Sequence, residues 1–164
     1  MMPDIVQAKI AENRVNLTNI LLEFVKTDTI LYAFNDECLA CFSSEVEKAN
    51  RILGTAFISS CALETVDCNC AQGEAIREYL KKLSNHKFII LYLLAVEFRS
   101  VLLSILFVER MINREQLLQI AFYEERYQQK QWGTTKEMYH KYKVIDEWLT
   151  ELEKMRDENN LFEN

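Results

Sequence analysis

The sequence predicts an all-α fold, a compact multi-helix domain with at most one or two short extended segments. Three observations carry that expectation. The 164 residues include one Pro and three Gly, too little turn punctuation for a β-rich chain. Nearly half the residues are apolar (49%), enough for a sizeable core in one domain. The apolar residues also recur mostly at spacings of three and four, the helical period. Residues 1–157 are expected to form a single helical domain, and the polar 158–164, "ENNLFEN", a frayed tail.

The elements follow in order. A first helix covers Ile5 to Asn13 and a second Leu17 to Lys26, with Leu17, Ile20, Leu21, Phe24 and Val25 on one face. "DTILYAF", Asp28 to Phe34, reads as a strand or a buried extended segment. Ser44 with Glu47 fits a capping box and predicts a helix from there to Leu53, ended by Gly54. "TAFIS", Thr55 to Ser59, is a second short extended segment, followed by a loop without pattern. A helix over Glu74 to Leu83 turns Ile76, Tyr79, Leu80 and Leu83 inward, and "SNH" at 84–86 breaks it.

The next stretch, Phe88 to Val108, is long enough to span a bilayer. Glu97 and Arg99 stand near its middle, and each central charge costs about 3 kcal/mol on insertion. It is therefore read as buried helix, breaking in two near Arg99–Ser100, and not as an integral membrane span. Asn113 caps a further helix that ends near Trp132–Gly133. Thr134 with Glu137 forms a capping box for the last helix, where Val144, Ile145, Trp148, Leu149, Leu152 and Met155 share a face.

Charge and composition exclude several classes of function. A net charge of −6, with both signs mixed along the chain, argues against a nucleic-acid-binding surface. The three Gly are isolated, so no phosphate-cradling loop is present. His86 and His140 lie in no nucleophile motif and read as surface or capping residues. The N-terminus lacks the layout of a secretory signal, and five Cys is an odd number. Both fit reduced thiols in a bacterial cytoplasm, or in a mitochondrial matrix if a transit peptide has been removed. Cys38 and Cys41 ("CLAC") with Cys68 and Cys70 ("CNC") would supply four thiolates for zinc, giving a zinc-stabilised helical interaction module as the alternative function. The C-x-C pair is less usual, however, and the first pair sits in an apolar setting that suits plain thiols. No metal or cofactor is expected.

The stretch "YEERYQQKQWG", Tyr123 to Gly133, departs from the burial pattern. At about 100° per residue, Leu117, Ile120, Ala121 and Tyr127 define an apolar side. Glu124 and Gln128 land on that same side, Gln131 lies close by, and Glu125 sits at its edge. Two readings are open. The carboxylate is buried and paired, for instance with Arg99 or Arg110, or the helix leaves the core at Glu124 and presents its polar end to a groove or partner. Adjacent helical positions do not share a substrate atom, so Glu124 and Glu125 make a weak acid–base pair. Tyr139, Tyr142 and Trp148 read as core or core-edge.

The same residues resemble a known family, the F1 ATP synthase assembly chaperone that handles the alpha subunit. Its signature LE-x-x-x-Q-x-x-x-W-G is matched by Glu124, Gln128, Trp132 and Gly133, with Tyr123 in place of Leu. "RSVLLSILFVERMINREQ" is similar to the family's apolar helix and the turn after it through Ser100, Glu109 and Glu115. "TDTILYAF" resembles a family segment through Asp28, Leu31, Tyr32 and Ala33. Phe42 stands where a Trp is common, and Leu53–Gly54 match a helix ending. A second family Trp is here Lys48, and an acidic residue before the W-G is Lys130 or Gln131. The family's N-terminal β-rich domain is expected to be absent from this sequence. The resemblance implies a chaperone rather than an enzyme. Its partner would be the unassembled F1 alpha subunit, shielded until it pairs with beta, with Glu124, Gln128, Trp132 and Glu125 as partner-binding residues.

Overall fold

The apolar run at 88–108 folds as two helices, and the rest of the chain is arranged around them. The structure, a computed structural model, describes residues 4–61 and 70–159. In chain order these form α1 (Asp4–Glu12), α2 (Arg14–Val25), a 3-10 turn (Thr29–Leu31), α3 (Asp36–Leu53), α4 (Cys70–Lys82) and α5 (Asn85–Phe98). Then come α6 (Val101–Val108), α7 (Arg114–Ala121), α8 (Tyr123–Trp132) and α9 (Lys136–Asn159). The all-α expectation holds. Of the two anticipated extended segments, Asp28–Phe34 begins with a 3-10 turn, and its Tyr32 forms an isolated parallel bridge with Ser60, the residue just after Thr55–Ser59.

Every residue of α6 is buried, including Ser104. Burying each large side chain there contributes about 1.5–3 kcal/mol, so α6 is the axis of the core. α5 packs beside it, α3 and α2 cover further faces, and α9 closes over α5 and α7. No described helix is long and apolar enough to cross a membrane.

The break between α5 and α6 falls where Glu97 and Arg99 interrupt the apolar run. Arg99 adopts a left-handed conformation (φ 53°), which costs a non-glycine residue about 1–2 kcal/mol. The backbone is held there from outside. Thr29 donates its amide N–H (3.0 Å) and its hydroxyl (3.0 Å) to the Arg99 carbonyl. Ser100 caps α6 by accepting from the Leu103 amide (3.0 Å).

Asp28, wholly buried, organises this corner. Its carboxylate accepts from Ser100 Oγ (2.6 Å), the Leu102 amide (3.0 Å) and the Ile30 amide (3.2 Å). It therefore caps the 3-10 turn and satisfies orphan donors at the start of α6. Burial pushes its pKa up to about 6, although the Leu102, Ser100 and Ile30 donors pull it down. At the other end of α6, the buried Arg156 of α9 donates to the carbonyls of Phe107 (2.9 Å) and Ile112 (3.3 Å) and lies over the Phe107 ring (4.4 Å).

Several local expectations are corrected. α3 begins at Asp36, because Asn35 caps it by accepting from the Cys38 amide (2.8 Å). Ser44 lies inside the helix. Gly54 does end it, in the left-handed conformation (φ 68°). Asn113 caps α7 with Gln116 in a full capping box, but the helix breaks at Phe122 instead of running on to Trp132. α9 is capped by Thr135, which accepts from the Met138 amide (3.2 Å), and not by Thr134. Ile20 and Val144, placed inward by periodicity, are exposed. α9 extends through Asn159, and residues 160–164 lie outside the described residues.

Candidate functional site

α8 is the exception in this fold: none of its residues is buried. The cause is local. Phe122, between α7 and α8, leaves helical geometry (φ −106°, ψ 25°) while its own ring stays in the core. That ring packs edge-on against Phe98 (5.8 Å) and Tyr142 (5.0 Å), with the Lys141 ammonium 5.6 Å above it. The chain is anchored at Phe122, and the turns beyond it lie outside the core.

Two sets of contacts fix α8 in its exposed position. Toward α9, the Tyr142 hydroxyl donates to Glu125 (3.1 Å) and accepts from Gln129 (2.8 Å), while Lys141 stands 4.0 Å from Glu125. Burial and then the Glu125 charge raise the Tyr142 pKa, so it remains a neutral donor. Toward α3, Phe34 contacts the rings of Tyr123 (5.9 Å) and Tyr127 (5.2 Å), and Tyr123 meets Phe42 (6.1 Å). α8 therefore sits on a polar contact along one edge and an aromatic one along the other.

Below α8 lies a cleft of about 280 Å³. Tyr32, Phe34 and Phe42 come from the 3-10 turn, the segment after it and α3. Glu97, Phe98 and Arg99 come from the end of α5, Ile120 to Phe122 from α7 and its break, and Glu124 and Glu125 from α8. Thr29 and Lys141 complete the lining. The cleft is thus aromatic where it meets the core and charged toward solvent. On the other flank of α8 a shallower hollow is lined by Glu37, Gln119, Tyr123, Arg126, Tyr127 and Lys130.

The two readings of Glu124 can now be separated. Its side chain is exposed, and no salt bridge to Arg99 or Arg110 occurs among the described residues. Arg110 pairs with Asp157 (3.2 Å), and Arg99 shares the cleft with Glu124. The helix has left the core, and the inward placement of Glu124 and Gln128 is corrected. Glu124 does share the cleft with Ile120 and Ala121, but past the break at Phe122 that side of α8 meets solvent and not the core. Gln128 is exposed, and Glu125 is half-buried against Tyr142. Trp132 is 85% exposed at the end of α8, and Tyr139 is 70% exposed, so neither serves the core. Gly133 follows with a positive φ of 86°, which lets the chain reverse into α9.

Sequence reasoning missed Phe34, Glu97 and Lys141, which reach the cleft only through packing of distant segments. His86, read as a surface or capping residue, is half-buried, its Nε2 3.0 Å from the Met155 carbonyl, between α5 and α9. Of the candidate zinc ligands, Cys38 is buried and Cys41 half-buried on α3. Burial raises both thiol pKa values. Cys68 lies outside the described residues, as does the side chain of Cys70.

The fold and cleft define an all-α domain with one helix held out of its core beside a charged, aromatic-floored groove. Solved structures with this fold include Atp12 from Paracoccus denitrificans, at TM-score 0.79 and 14% identity, covering 91% of this chain and 66% of that one. A single-substitution variant of the same protein matches at TM-score 0.82, 14% identity and the same coverages. A candidate chaperone from Agrobacterium tumefaciens matches at TM-score 0.76 and 20% identity, over 90% of this chain and 58% of that one. This chain therefore spans just under two thirds of the length of the solved structures it matches. No family model and no curated protein matches the sequence.

Proposed function

We propose that this chain is an assembly chaperone, not an enzyme, that transiently binds the unassembled alpha subunit of F1 ATP synthase and shields its apolar assembly surface until beta pairs with it. The observation that carries the reading is α8. It buries none of its residues yet carries Tyr127 (38% exposed) and Trp132 (85% exposed), while Glu124 and Glu125 of its first turn line a cleft. Trp and Tyr are among the residue types that dominate protein interfaces. Two further supports agree. The signature resemblance falls on Glu124, Gln128, Trp132 and Gly133 of this same helix, and the fold is the one found in Atp12.

The mechanism is masking. Trp132 and Tyr127 supply apolar contact, while Glu124, Gln128 and Glu125 set register and permit release. The compartment would be the bacterial cytoplasm or the mitochondrial matrix, where F1 is assembled. The test is capture of the free alpha subunit by the tagged chain from the native cell extract, followed by the same capture with Glu124→Lys. Recovery by the wild type and loss in a folded variant is the expected result. Consistent absence of the alpha subunit from the wild-type capture overturns the assignment.

A further inference from the structure

The cleft beneath α8 has a charge imbalance that the masking role does not use. Its lining holds three carboxylates, Glu97, Glu124 and Glu125, and two cations, Arg99 and Lys141. Glu125 is internally occupied, by the Tyr142 hydroxyl (3.1 Å) and by Lys141 at 4.0 Å. Lys141 is in turn held over the Phe122 ring. That leaves Glu97, from the last turn of α5, and Glu124, from the first turn of α8, in a cleft with one further cation, Arg99. Both carboxylates are exposed, and neither has an ion pair among the described residues.

The backbone offsets only part of this surplus. The Phe122 carbonyl accepts the first hydrogen bond of α8, from the Arg126 amide (2.9 Å), and no side chain caps the helix. The amides of that first turn carry about half a positive charge in all, less than the one carboxylate left over. The core side of the cleft is aromatic: Phe34, 38% exposed, and Phe42. Aromatic faces attract a guanidinium or ammonium and also accept its aliphatic stem.

We propose that this cleft receives a cationic side chain, an arginine or lysine set among apolar residues on the partner polypeptide, with its head between Glu97 and Glu124 and its stem against Phe34. The proposal rests on the chaperone reading for the identity of the partner but not for the chemistry of the cleft. It adds Glu97 and Phe34 to the recognition surface and makes Glu124 a selector of charge. The same exposed apolar helix then discriminates between clients by a charge that a wrong partner lacks.

The experiment uses two probes with the full chain. One is a labelled apolar peptide in three versions, with a central Arg, Gln or Glu, titrated in a fluorescence anisotropy assay. The other is the purified F1 alpha subunit. The Arg peptide should bind roughly five- to tenfold more tightly than the Gln peptide, as expected for a partly solvated charge pair, and the Glu peptide more weakly still. Glu97→Gln with Glu124→Gln should erase that ranking while leaving the circular dichroism spectrum unchanged. Equal binding of the three peptides, a preference for Glu, or no binding of any of them overturns the proposal. The two readings fail separately. A preference for Arg without capture of the alpha subunit keeps the cleft proposal and removes the chaperone assignment. Capture of the alpha subunit that the double Gln variant leaves intact, together with no Arg preference, does the reverse.

Discussion

α6 and α8 are nearly equal in length and opposite in placement. All eight residues of α6 are buried, whereas none of the ten in α8 is. Both regions contain acids and hydroxyls, and the difference lies in how those groups are satisfied. Around α6 every critical polar group has a built partner: Asp28 takes three donors, Ser100 caps, and Arg156 serves two carbonyls. Around α8 the carboxylate of Glu124 is left to solvent, with Trp132 in solvent at the other end. The comparison teaches that the fold can bury a carboxylate when it supplies donors, so the exposure of Glu124 and Trp132 is not forced by their chemistry. It follows from the break at Phe122, which leaves α8 outside the core.

The comparison predicts opposite responses to substitution. The largest effect is expected at Asp28. Asp28→Ala leaves the Ser100 hydroxyl and the Leu102 and Ile30 amides without their acceptor and should cost about 3–5 kcal/mol in urea unfolding. A loss below 1 kcal/mol would mean that the corner between α5 and α6 holds itself.

A second effect is in pH. Burial raises the folded pKa of Asp28 above its unfolded value. The folded state then binds the proton more tightly, so this contribution to stability is complete below the unfolded pKa and is lost as pH rises through the folded one. From the ordinary 3.8 to about 6, the difference amounts to about 3 kcal/mol. Asp28→Asn should remove that slope between pH 4 and pH 6. The check is the difference in unfolding free energy between wild type and variant across the range, since other acids contribute equally to both. A constant difference would refute the raised pKa.

Smaller effects belong to α8. Tyr142→Phe removes the hydroxyl that joins Glu125 and Gln129 and should cost about 1 kcal/mol. Hydrogen exchange of the α8 amides should accelerate with little change in α6; equal acceleration in both would mean that α8 is coupled to the core. Trp132→Ala should change stability by no more than about 0.5 kcal/mol, as at other exposed sites. A Trp folded into the core would cost several times that.

Much of this contrast was legible in the sequence. Glu97 and Arg99 inside an apolar run marked the α5–α6 break, because two charges in the middle of such a stretch are costly to bury or insert. Asn113 and Gly54 named their own helix ends. The start of α3 was not legible, because "NDECLACF" offers an Asn cap but only a short apolar pattern, and Ser44 with Glu47 offered a more familiar one. The break at Phe122 carries no Gly or Pro. It exists because Phe98, Tyr142 and Lys141, all distant in sequence, close around that ring. Periodicity extended across this break placed Glu124 beside Ile120 and Ala121, where the cleft has it, but could not show that the helix has left the core and that the side chain is exposed. Nothing local assigned Phe34 and Glu97 to the cleft, since only the packing of distant segments brings them together there.

The most direct test of α8 as an interaction face held outside the core is Glu124→Lys, measured twice on one preparation. Urea unfolding should give the wild-type midpoint, and capture of the F1 alpha subunit should be lost. A variant that unfolds, or one that stays folded and still captures the subunit, would contradict it.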